Sequence, residues 1–174
     1  MKLDEDGLMG YAVRSLADHA SSSEELRTKL RRRAANLADI EKVISRLMEL
    51  NYLDDRRFAE MYTAVRLGND GFGKARILQD LRLKRVPGEF AEEAIARAFE
   101  DKNEDEMVAD YIGRRMPSVA AGDHKGDDRK IAAAYRKLRR AGFSTNSILT
   151  VLRKYAAHPE MLDEPPPEDE LPDV

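Results

Sequence analysis

The sequence predicts an all-α protein built from one three-helix unit read three times. Three observations predict it. Apolar residues recur at helical spacing along most of the chain. No stretch alternates apolar and polar residues long enough to argue for a strand. A leucine followed by an arginine, with the same apolar partners around it, recurs three times.

Taken in order, a first helix is expected at about residues 8–20. Ser22 stands three residues before Glu25, the spacing of a capping box, so a second helix starts there. Ile40, Val43, Ile44, Leu47 and Met48 mark one face of a third. Asp54 and Asp55 open the next as caps, and Phe58, Met61, Tyr62 and Val65 mark its expected buried face. The segments 68–74 and 117–127 are Gly-rich or polar and are expected as loops. Phe90, Ala94, Ile95, Ala98 and Phe99 form a further stripe, a helix at about 104–116 follows, and Ser144 opens another.

The repeat organises these pieces. Leu30–Arg31, Leu81–Arg82 and Leu138–Arg139 are the three anchors, spaced by 51 and then 57 residues. Four residues before each leucine stand Leu26, Ile77 and Ala134. Five after it stand Ala35, Val86 and Phe143, and fourteen after it Ile44, Ile95 and Leu152. A period of that size means a tandem array whose units mainly contact neighbours. The expected boundaries are 1–53, 54–102 and 103–158, each a three-helix module, with 159–174 as an acidic, proline-rich tail. A module of about 50 residues buries a thin core alone, so neighbours must help. The tail cannot pack and should be disordered.

Composition narrows the function. The chain has 174 residues, 42 % hydrophobic and 36 % charged, with no cysteine. Disulfides and thiolate metal sites are therefore excluded, and a reducing compartment is expected. Apolar runs fall short of the ~20 residues that span a bilayer, and an acidic N-terminus lacks the pattern of a signal peptide. A cytoplasmic protein is the simplest expectation, with no membrane contact. The net charge of -3 conceals a division: residues 159–174 carry seven acids and no base, leaving the rest about four charges positive.

Chemical motifs are few. Gly68-Asn69-Asp70-Gly71-Phe72-Gly73-Lys74 has the spacing of a phosphate-binding loop, but Ala75 stands where a Ser or Thr should hold magnesium, and a helix precedes it instead of a strand. His19, His124 and His158 lie far apart with no ligand at metal spacing. Adjacent Asp54 and Asp55 do not face one site. No nucleophile setting is recognisable. No enzyme, cofactor or metal is expected.

The basic residues carry more. Arg31, Arg82 and Arg139 sit about 100° round the helix from the buried leucine, at the edge of the core stripe. Arg27, Arg32, Lys84, Arg85, Lys137 and Arg140 reinforce them, with Arg33 beside. Such cations favour a helix C-terminus, worth roughly 0.3–1 kcal/mol each. The arginine fork equally suits phosphate or carboxylate. Phe58, Tyr62, Phe99, Tyr111, Tyr135 and Phe143 fall in core stripes, so a base-stacking platform is not expected. In the third module Asn146, Ser147, Thr150, Arg153 and Lys154 are placed to face out as a groove-reading helix would. Glu89, Glu92 and Glu93 on the matching helix of the second would repel phosphate.

Four stretches in this order resemble the RecX family: Ser22–Arg32 (SSEELRTKLRR), Tyr52–Ala59 (YLDDRRFA), Gly73–Pro87 (GKARILQDLRLKRVP) and Lys137–Ser144 (KLRRAGFS). The resemblance runs from about residue 8 to 156. It implies three tandem three-helix modules forming an elongated, curved array. It also implies binding to RecA recombinase filaments on single-stranded DNA. That binding restrains recombination, ATP hydrolysis and the coprotease activity of the SOS response. Direct DNA binding without a recombinase is the alternative, and a scaffold with merely solvated arginines is the third. Nothing in the sequence demands a dimer, and a monomer is expected. Arg85 and Ala34 stand where a turn glycine like Gly142 is expected. The acidic tail is either a solvating end or a competitor for the arginine edge.

Overall fold

The structure, a computed structural model, describes residues 2–122, 128–156 and 158–162. Ten α-helices follow one another: α1 Glu5–Asp18, α2 Ser23–Arg31, α3 Ala38–Glu49, α4 Asp55–Val65, α5 Lys74–Leu83, α6 Gly88–Ala98, α7 Glu104–Arg115, α8 Pro117–Ala120, α9 Asp128–Arg140 and α10 Thr145–Leu152. No strand forms among the described residues. The fold is all-α, and its helices carry the repeated pattern. The chain divides into two compact units, one taking 1–64 and 78–98, the other 65–77 and the described residues from 99 onward.

In the first unit α1, α2 and α3 enclose a core of Leu8, Leu26, Leu30, Ile40, Ile44 and Leu47, among others. Burying each such side chain contributes about 1.5–3 kcal/mol. Asp4 caps α1, accepting from the Gly7 amide at 2.9 Å, so this helix begins three residues before the expected start. Ser22 and Glu25 form the expected capping box on α2. Ser22 Oγ, besides accepting from the Glu25 amide, donates to the carbonyl of Lys84 beyond the end of α5.

The first copy of the repeat ends differently from the others. Leu3 N–H donates to the Arg33 carbonyl and the Ala35 amide to the Leu3 carbonyl, both at 2.8 Å, a lone parallel bridge at Ala34. No left-handed residue closes α2; Ala34 is buried and Ala35 exposed. The expected core position at Ala35 is thus filled one residue earlier, because the bridge turns the chain out of the helix. The expectation that Ala34 stands in for a turn glycine also fails for this reason.

Helix α4 is rotated from the expected stripe. Met61 and Val65 are 54 % and 55 % exposed, while Asp55, Ala59 and Thr63 are buried. Small side chains at i and i+4 let a neighbouring element approach closely, and the periodicity of the large residues misses this. Phe58 and Tyr62 are half-buried and stack at 5.9 Å. Asp54 caps α4 through the Arg57 amide, as expected. Asp55 does not cap: its carboxylate accepts from the Ser23 amide at 2.7 Å and from Ser23 Oγ at 2.6 Å, joining α4 to the N-terminus of α2.

The end of α5 is a Schellman turn. Val86 N–H reaches the Leu81 carbonyl and Arg85 N–H the Arg82 carbonyl, with Arg85 at φ 55°. A left-handed non-glycine residue costs about 1–2 kcal/mol. Arg85 recovers part of this through a bond from Nη1 to Thr28 Oγ1 at 3.0 Å. Arg85→Gly is therefore expected to stabilise by about 0.5–1 kcal/mol, raising Tm by a few degrees in a thermal melt. A lower Tm would mean that the contact with Thr28 outweighs the backbone strain.

In the second unit α7, α9 and α10 surround Tyr111, Ile112, Tyr135, Leu138, Phe143 and Ile148. Tyr111 meets Phe143 edge-on at 5.6 Å. Glu104 at the start of α7 accepts from the Ser144 amide and from the hydroxyls of Ser144 and Ser147. It repeats what Asp55 does for α2. Ser144 caps α10 as expected.

Neither expected loop is wholly irregular. Arg66–Asp70 is one π-helical turn, and 117–120 form α8. Gly73 lies backbone to backbone against the α9–α10 turn. Its amide donates to the Ala141 carbonyl at 2.8 Å, and the Ala75 amide donates to the Gly142 carbonyl at 3.3 Å. The chain after α10 stays folded longer than the tail reading expects. Pro159–Leu162 form a 3-10 turn whose Leu162 is buried in this core. Residues 163–174, where the remainder of that tail falls, lie outside the described residues.

Candidate functional site

Leu30, Leu81 and Leu138 are fully buried at the last turns of α2, α5 and α9, and Arg31, Arg82 and Arg139 beside them are exposed. What each cation does next is set by its neighbours, not by the repeat. Arg31 Nη1 pairs with Glu24 at 3.2 Å. Arg139 Nη1 donates to the Phe143 carbonyl at 3.1 Å. Arg32, Arg82 and Arg140 are exposed at the same helix ends.

The other basic candidates are held more firmly. Arg27 binds both oxygens of Glu41, at 3.0 and 3.2 Å, and also reaches Ser23 Oγ and Glu24. Burial works to lower its pKa, but the bonds and charges of Glu41 and Glu24 outweigh that and hold it above its ordinary value. Arg27 is thus the tie between α2 and α3. Lys84 lies 3.6 Å from Glu25 and over the Tyr62 ring, and Arg85 bonds Thr28. Lys137 Nζ donates to the Arg115 carbonyl at 2.8 Å.

Within the first unit these contacts bring the ends of α2 and α5 together. Thr28, which holds Arg85, is one turn from Arg31, and Arg82 is one turn from Arg85. Arg31, Arg32, Arg82 and Arg85 thereby share one surface. Exposed ion pairs such as Arg31–Glu24 contribute roughly 0–1 kcal/mol, so exchanging Glu24 for a phosphate costs little. In the second unit Lys137 joins α9 to the end of α7, bringing Arg114 and Arg115 into the neighbourhood of its own cations; sequence reasoning had not singled these two out.

Other readings meet the geometry as follows. The amides of Gly71, Gly73 and Ala75 are bonded to the carbonyls of Arg66 and Leu67, of Ala141 and of Gly142. The Gly68–Lys74 loop therefore spends its N–H groups inward, where a phosphate loop aims them at a ligand. Ser147 is buried against Glu104, so the α10 face expected to read a groove is left with Asn146, Thr150, Arg153 and Lys154. His19 is exposed, His158 lies 3.3 Å from Glu160, and His124 falls outside the described residues. A cleft of about 360 Å³ in the second unit is lined by Leu67, Gly71, Glu106, Met107, Asp110 and Arg114, a mixture of charges without a nucleophile and its base.

Comparison with known proteins supplies a name for this arrangement. A model of the domain described as "RecX, second three-helix domain" matches residues 54–95. The Regulatory protein RecX of Deinococcus radiodurans is 32 % identical over 151 residues, covering 87 % of this chain and 69 % of that protein. The chain belongs to the RecX family. A second Regulatory protein RecX, from Salmonella heidelberg, is 36 % identical over 123 residues, covering 64 % of this chain and 74 % of that protein. The crystal structure of RecX from Lactobacillus salivarius superposes with a TM-score of 0.72 at 20 % identity, covering 87 % of this chain and 96 % of that one. The family is one of regulatory proteins, and the RecX fold extends over nearly all the described residues. No helix among them is long and apolar enough to cross a membrane.

Proposed function

We propose that this RecX-family chain regulates a RecA recombinase by binding its filament on single-stranded DNA, and that it restrains recombination, ATP hydrolysis and coprotease activity without catalysing a reaction itself. Family membership supports the regulatory part. The exposed cations at the ends of α2, α5 and α9 support the target: a repeated basic edge suits a repeating, anionic filament. Each contact is weak, and several made together add as avidity.

In this reading three modules, 1–53, 54–102 and 103–158, act as successive contact units in a monomeric, cytoplasmic protein. Arg31, Arg32, Arg82, Arg139 and Arg140 meet the filament or its DNA. Arg27, Lys84, Arg85 and Lys137 hold helices in place behind them.

The test is single-stranded-DNA-dependent ATP hydrolysis by the cognate recombinase, with this protein titrated well below the recombinase concentration. Inhibition at such ratios is expected. Changing Arg31, Arg82 and Arg139 together to Glu is expected to weaken it by more than tenfold, with the helical CD spectrum unchanged. Inhibition only when the protein saturates the strand would favour direct DNA binding without a recombinase. No effect at any ratio would sink both readings.

A further inference from the structure

The charge of the second unit is segregated along the chain. From Arg129 to His158 there are eight Lys and Arg residues and no Asp or Glu. They are Arg129 and Lys130 at the start of α9, then Arg136, Lys137, Arg139 and Arg140 along it, and Arg153 and Lys154 just after α10. From Asp163 to Val174 there are six acids and no base. No other part of the chain sets two long blocks of opposite sign side by side.

The structure fixes where the acidic block begins. Leu162 is buried in the core of the second unit, and its carbonyl accepts from Arg153 Nη2 at 3.3 Å. The tail therefore leaves the fold beside Arg153, on the basic helices. Twelve residues span about 40 Å when fully extended and about 20 Å as a flexible chain. At 1.5 Å per residue, α9 is about 20 Å long and α10 about 12 Å. All eight cations lie within reach of the acids. Tethered so closely, the acids act at an effective concentration in the millimolar range.

We propose that the segment Asp163–Val174 is a built-in competitor for the basic α9–α10 surface, occupying it in place of a nucleic-acid phosphate backbone and lowering the protein's affinity for single strands. This rests on the reading that the basic surface meets DNA or a DNA-bearing filament. The acids mimic the phosphates in charge and spacing, and a strand must displace them before Arg139 and Arg140 are available. Leu162 is part of the fold, so the competitor starts after it and can be removed without opening the core.

The experiment compares the full chain, a chain ending at Leu162, and a chain whose six tail acids are changed to the corresponding amides. Each is titrated with a labelled oligo-dT across a salt series and run on heparin, a polyanion without bases. Both altered chains are expected to bind oligo-dT about tenfold more tightly at low salt. The slope of log affinity against log salt should steepen by about one to two units, since each phosphate newly neutralised on a single strand adds about 0.7. Both should also elute later from heparin. Equal affinity, slope and elution for all three chains would overturn the proposal. If none binds oligo-dT but the altered chains still elute later from heparin, the tail competes as proposed and the DNA reading falls. If the shortened chain changes and the amide chain does not, charge is not the cause and the proposal falls.

Discussion

Gly73→Ala is expected to remove about 3–5 kcal/mol of stability, the size reserved for substitutions that break a packed contact. A β-carbon there would stand 2.3 Å from the Gly142 oxygen and 2.5 Å from its carbonyl carbon. The opposing atoms are backbone, so no side chain can rotate away. Gly142 cannot retreat either. It sits at φ +90° and closes α9 through bonds from Gly142 to Arg139 and from Phe143 to Leu138. A shift also breaks the bond from Gly73 to Ala141. Gly68→Ala and Gly88→Ala are the controls, since nothing lies within 4 Å of a β-carbon at either position. Both should stay within about 0.5 kcal/mol of the parent. The chain has no Trp, so urea unfolding is followed by far-UV CD. Hydrogen exchange in α9 and α10 then shows whether the loss lies in the second unit. A drop at Gly68 equal to that at Gly73 would show that helix propensity, and not the close approach, governs this turn.

Asp55→Ala is expected to cost about 2–4 kcal/mol, because it strips a buried carboxylate from two short bonds and leaves the Ser23 amide without its acceptor. Asp55→Asn keeps one acceptor oxygen and should lose about half as much. Neighbouring Asp54 is exposed and only caps α4, so Asp54→Ala should cost about 1 kcal/mol. In a double-mutant cycle, Asp55→Ala and Ser23→Ala should couple, since both remove the bond from Ser23 Oγ. Equal losses at Asp54 and Asp55 in urea titrations would refute the assignment of Asp55 as the link between α4 and α2.

These two sites also show where sequence reasoning stops. The leucines at 30, 81 and 138 and the caps at Ser22, Asp54 and Ser144 were legible, because periodicity and capping are local. The burial of Ala59 and Thr63 in place of Met61 and Val65 was not. Hydropathy favours large residues, whereas close helix packing favours small ones. The Gly73–Gly142 contact has no side chain to announce it. The basic edge was half legible. Its positions could be read from the repeat, but Arg27 and Lys84 are turned inward by Glu41 and Glu25, and pairings of that kind depend on which helices become neighbours. Ala34 departs from the pattern of Arg85 and Gly142 because Leu3, thirty residues earlier, bridges to it.

The Gly73–Gly142 contact also bears on how the chain is made. A ribosome adds about 5–20 residues per second. After Gly73 is synthesised, about 70 more residues must follow before its partner exists, a delay of roughly 3–14 s at those speeds. Every residue of the first unit is complete by Ala98, well inside that interval. The first unit can therefore finish its core while the turn at Gly71–Gly73 still waits for Ala141 and Gly142. The last contacts to form on a nascent chain should be those of the early glycine turn, and a translation pause near residues 100–140 would lengthen its exposure to proteases.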